Sequence, residues 1–129
     1  MGYRSEVKSV IYGTPEAVDN FMTNCEFELD QLKEDFGDEI KIILSDSRKF
    51  IFLACDYTKW YDTYAHVQHW HELLVLANDA KLSTEFVRAG EDSEGDIEQE
   101  YNGVDNMCYL SPVTTIDVGF SYDNTVKGF

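Results

Sequence analysis

The chain has 129 residues, with 25 acids against 10 Lys and Arg and a formal net charge of -15. That balance argues against direct binding to DNA, RNA or an anionic membrane, and it favours attraction to basic surfaces. With 43% apolar residues and 14% aromatics, the composition excludes a disordered chain and suits a single domain over residues 1–129.

No apolar run approaches the ~20 residues of a membrane span. The opening residues MGYRSEVKSV lack the apolar stretch of a secretory signal, and Glu6 stands where a myristoylation motif takes Ser or Thr. Cys25, Cys55 and Cys108 are odd in number and form no CxxC pair, which points to reduced thiols in a cytoplasm. Cys25 and Cys55 fall at apolar positions and read as core thiols.

Residues 4–12, RSEVKSVIY, read as a strand broken by Gly13. Thr14-Pro15 gives a helix start, Thr as N-cap and Pro at the first helical position. Val18, Phe21, Met22, Cys25, Leu29, Leu32 and Phe36 follow in steps that mark one helical stripe. Gly37 is a natural stop, so the spacing predicts one helix about 33 Å long. EIKIIL and KFIFLAC flank SDSR as a hairpin whose strands are apolar on nearly every residue, hence covered on at least one face. A second helix is predicted from about Tyr61 to Ala80, with Val67, Trp70, Leu74 and Ala77 as its buried stripe. STEFVRA is a further strand, DIEQEYNG a hairpin partner for it, and VTTIDVGFSY alternates as a last strand. The order predicts an α+β fold, a ferredoxin-like βαββαβ sheet with extra C-terminal antiparallel strand(s) and two helices packed on one sheet face. Such a fold hosts many unrelated functions, so function has to be argued from sites.

GEDSEGDIEQE, Gly90–Glu100, carries Glu91, Asp92, Glu94, Asp96, Glu98 and Glu100 with no Lys or Arg among them. As a calcium loop starting at Asp92 it fits at Asp92, Glu94 and Asp96. It fails where Ile97 replaces the glycine and Gly103 the final glutamate. On a strand Asp96, Glu98 and Glu100 share one face. They serve either a solvated hairpin with a charge-guarded edge or an acidic edge offered to a basic partner. In the first helix Glu26, Asp30, Glu34 and Asp38 recur every four residues, with Lys33 opposing them. Each such like-charged pair costs a helix about 0.2–0.5 kcal/mol. Keeping them suggests that the negative field is useful, though solubility explains it as well. Carboxylates in these two regions could stand in for phosphates and compete with nucleic acid for a basic groove.

Other sites are weaker. Asp62, His66 and His69 fall on one helical face, but they span about 10 Å of axis, too long for one ion without help from another element. No metal and no cofactor is expected. No GxSxG, GxxxxGK[ST] or GxGxxG occurs, so no enzyme is expected. In DYTKWYDTY the aromatics Tyr57, Trp60, Tyr61 and Tyr64 crowd the start of the second helix. They are either a cap packed over the sheet or an exposed patch in which Trp60 and Tyr61 anchor a partner.

Three stretches taken together, GYRSEV, KWYDTY and FVRAGEDSEGDIEQEYNG, resemble small acidic proteins of tailed bacteriophages. These open with GYRS-acid-Val and carry an Arg-x-Gly-Glu-Asp turn. The resemblance brings no active site. It implies a phage origin and action in the bacterial host cytoplasm, where small acidic phage proteins often inhibit host defence or nucleic-acid machinery. The expectation is a non-enzymatic acidic binding protein, a possible nucleic-acid mimic, whose partner is a basic host protein or nucleoprotein complex such as a defence nuclease, a CRISPR complex or a polymerase. The alternative is a regulatory domain for a small ligand or metal, using the open sheet face or the Asp62/His66/His69 face.

Overall fold

In the computed structural model β1 (Ser5–Gly13) is the middle strand of a five-stranded antiparallel sheet. Residues 5–44, 47–61, 63–90, 97–102, 109–112 and 116–118 are described. α1 (Pro15–Asn24) and α2 (Glu26–Phe36) follow, then a 3-10 turn Gly37–Glu39, β2 (Ile40–Leu44), β3 (Lys49–Thr58) and α3 (Ala65–Asp79). β4 (Ser83–Gly90), β5 (Ile97–Asn102), β6 (Leu110–Pro112) and β7 (Ile116–Val118) complete the order. The sheet runs β2-β3-β1-β4-β5, and β6 pairs β7 in a separate two-stranded sheet. The fold is therefore α+β, with three helices among the described residues.

The single long first helix is a misreading. The helix divides at Cys25, whose φ of -112° and ψ of 28° leave the helical region. The hydrogen-bond ladder continues on both sides, Cys25 N–H to the Phe21 carbonyl and Leu29 N–H to the Cys25 carbonyl, each at 2.9 Å. The cause lies in Thr23-Asn24-Cys25, three poor helix formers in a row. The Thr23 hydroxyl also donates back to the Asp19 carbonyl at 3.0 Å, a bond that bends helices. Thr14 caps α1 as expected, its hydroxyl accepting the Ala17 N–H.

The second predicted helix starts later, at Ala65, because Tyr61 and Tyr64 close a turn first, Tyr64 N–H to the Tyr61 carbonyl at 2.9 Å. α3 ends in a Schellman motif. Leu82 N–H reaches the Ala77 carbonyl at 2.9 Å and Lys81 N–H the Asn78 carbonyl at 3.0 Å. Lys81 takes the left-handed position at φ 67°, where glycine is the usual occupant. Gly13 does not break the first strand; it is its last residue, paired with Lys49.

Alternate strand residues sort into two apolar clusters. Val7 and Ile11 of β1, with Ile51, Leu53 and Phe86, share one cluster with Val18, Phe21, Leu29, Leu32, Val67 and Trp70 of the helices. Val10 and Tyr12, with Phe50, Phe52 and Val87, share the other with Leu110 of β6 and Ile116 of β7. The short β6–β7 pair thus covers strand residues that the helices do not touch. Two carboxylates tie it down. Glu85, 1% exposed, accepts the N–H groups of Tyr109 and Leu110 at 2.9 and 3.0 Å, and Glu6 accepts that of Ile116 at 3.0 Å.

Candidate docking surface

α2 turns Leu29, Leu32 and Phe36 inward, so the residues between them must face out. Glu26, Asp30 and Glu34 are all exposed and have no salt-bridge partner among the described residues. Glu26 and Glu28 sit in the first turn, where the helix dipole favours an anion, and Lys33 is in the last. Asp35 leans towards α3, with its Oδ2 3.6 Å from His69 Nδ1. On α1, Asp19 is answered by Lys49 of β3.

β5 carries the second acidic row. Register places Glu98 opposite Arg88 and Glu100 opposite Phe86, so both point to the same side of the sheet edge, as their spacing of two requires. The row is less negative than the sequence suggests. Arg88 Nε donates to Glu98 Oε1 at 2.8 Å while its Nη1 donates to Ser5 Oγ at 3.1 Å. A base remote in sequence from the row is brought beside it by strand pairing. Glu91, Asp92, Glu94 and Asp96 lie outside the described residues. α3 packs against both α2 and β4 and so intervenes between the two acidic elements.

Trp60 is corrected from anchor to core. It is 7% exposed, with its ring stacked on Phe36 at 6.0 Å and tilted on Phe86 at 5.9 Å. A side chain already enclosed by α2 and β4 has little surface left to offer a partner. Tyr61 is half-buried and meets Tyr64 edge-on at 5.3 Å. Trp60 is therefore part of the core under the helices, with Tyr64 packed against the same cluster.

The histidines are drawn to different neighbours. His66 packs edge-on against Phe36 at 5.2 Å, His71 tilts on Phe86 at 4.9 Å, and His69 approaches Asp35. No group of three His, Cys, Asp or Glu suited to a metal ion occurs among the described residues, and Asp62 lies outside them. Cys25 is a buried free thiol, and Cys55 is buried in β3. Burial, and secondarily the charge of Glu28, raise the Cys25 thiol above its ordinary value, which keeps it protonated and inert.

Between α2 and α3 runs a groove of about 320 Å³, with Leu73 at its base, Phe27 and Leu76 on its walls, and Glu28 and Glu72 at its rim. Phe27 and Leu76 belong to neither helical stripe, and that mismatch is the sequence signal for the groove: an apolar residue off the buried face is exposed unless something covers it. Comparison with protein-family models, curated proteins and solved structures gives no match for this chain.

Proposed function

We propose that the chain is a non-enzymatic, phage-encoded acidic binding protein of the bacterial cytoplasm. It docks on a basic surface of a host defence or nucleic-acid-handling protein and blocks it, its carboxylates standing where phosphates would. The observation that carries this reading is the row Glu26, Asp30 and Glu34, exposed on one helix without a salt-bridge partner among the described residues. Such a row costs helix stability, and it projects a field that speeds encounter with a cationic partner. Glu98 and Glu100 add to that field from β5, with Glu98 weakened by Arg88; Glu91, Asp92, Glu94 and Asp96 extend it in sequence. We also assign the sheet to the ferredoxin-like arrangement with β5 added at one edge. Supporting this are the order β2-β3-β1-β4, its antiparallel neighbours, and the single cluster shared by the buried residues of all three helices.

The test is capture from bacterial lysate by the tagged chain and by an E26K/D30K/E34K variant. One basic partner held by the first and lost by the second supports the reading. Equal capture by both removes α2 from it.

A small-ligand domain is the second reading, favoured by the α2–α3 groove, which is near the lower size limit of ligand pockets. Thermal melts with nucleotides, calcium and zinc test it. A ligand that binds only the folded state raises Tm, and no shift with any of them sets it aside.

A further inference from the structure

Among the described residues five large apolar side chains are exposed, and three of them, Phe27 at 69%, Val75 at 61% and Leu76 at 40%, lie on α2 and α3. Scattered exposed apolars need no explanation; apolars gathered around a groove do. Phe27 and Leu76 flank the groove over Leu73, and Val75 borders an adjoining, more open hollow along α3 that shares Glu72 with the groove. Across α2 and α3 there are seven carboxylates against the single Lys33. The surface is therefore apolar in its furrow and anionic at its margins.

From this pairing we infer that the α2–α3 groove is the specific seat of the partner, and that it takes a basic amphipathic helix which lays its apolar stripe between Phe27 and Leu76 and sets Lys or Arg against Glu28 and Glu72. The inference rests on the acidic-binding reading above and narrows it. Charge complementarity chooses the occupant. A nucleic acid or an anionic membrane would be repelled by the rim, and a second copy of this chain would bring its own seven carboxylates against these. A groove between two helices suits a third, which presents anchors at i, i+3, i+4 and i+7. The acids then provide steering and register, while the furrow provides the salt-insensitive part of the affinity.

The probe is a fluorescein-labelled Leu/Lys peptide of about five helical turns, with leucines at i, i+3, i+4 and i+7. It is titrated by anisotropy against the whole chain, with oligolysine of equal length as control. Tighter binding of the Leu/Lys peptide than of oligolysine, and a roughly tenfold loss in an F27S/L76S variant whose charge is unaltered, are expected. Both substitutions are at exposed positions, and circular dichroism checks that the variant is folded. On the unaltered chain, a photoreactive group at a central leucine of the peptide should crosslink to α2 or α3; crosslinks elsewhere overturn the groove. If oligolysine binds as well as the amphipathic peptide, and the variant as well as the original, the groove falls and the acidic reading stands. If neither peptide binds, both fall. Sedimentation that shows a dimer dissociated by F27S/L76S makes the groove a self-interface and overturns the proposal.

Discussion

The Glu85 carboxylate on β4 accepts the backbone N–H of Leu110 on β6 at 3.0 Å, in a position where Glu85 is 1% exposed. The same carboxylate takes the Tyr109 N–H through both oxygens, at 2.9 and 3.1 Å. Two backbone donors depend on one buried carboxyl group, and its removal leaves both without it.

Glu85→Ala should therefore cost about 2–6 kcal/mol, from about 1–3 kcal/mol for each of the two donors left unpaired. Urea unfolding measures the loss. Hydrogen exchange should show the Tyr109 and Leu110 amides freed more than those of β1. Equal change across the sheet would mean that Glu85 supports the whole core rather than β6.

Lys81 holds a left-handed conformation at φ 67° in the Schellman motif after α3. That conformation costs a non-glycine residue about 1–2 kcal/mol, and glycine gives back about 0.5–1 kcal/mol through its freer unfolded chain. Lys81→Gly should stabilise by about 0.5 kcal/mol, raising Tm by roughly 1–3 °C.

Much of this architecture is legible in the sequence, and the failures have physical causes. Val18, Phe21, Leu29, Leu32 and Phe36 were identifiable because burial of a helix follows its period, and all are buried. The bend at Cys25 was not, because the apolar stripe runs through it unbroken; only the Thr23 back-bond reveals it. Glu85 reads as one more acid in an acidic chain, since its value depends on Tyr109 and Leu110, donors that strand pairing brings near. Arg88 likewise neutralises Glu98 through register, which no local window shows. Trp60 could be read as anchor or cap, and Phe36 and Phe86 place it in the core.

Asp30→Lys separates stability from binding. It turns the two repulsive pairs with Glu26 and Glu34 into attractive ones, a gain of about 1 kcal/mol in all. Tm should rise while capture of a basic partner weakens. A rise in Tm with capture undiminished would argue that the α2 acids do not serve binding.

Cys25 should resist alkylation at neutral pH, because its thiol is raised above the ordinary value by burial and by Glu28. The sign for stability follows. The unfolded thiol ionises first, so any contribution from Cys25 is intact below the ordinary thiol value and declines as pH rises through the folded one. Iodoacetamide labelling of the native chain, compared with the urea-unfolded chain at the same pH, should be slower at Cys25. Equal rates would place the thiol in contact with solvent.

The central claim is that this chain acts by offering carboxylates to a cationic partner. Its most direct test is a tagged pull-down from bacterial lysate, with mass spectrometry, at ~50 mM and ~500 mM salt, where the screening length falls from about 14 Å to about 4 Å. One dominant nucleic-acid-binding protein, held at low salt and weakened or lost at high salt, is the predicted result. No specific protein at either salt would contradict the claim.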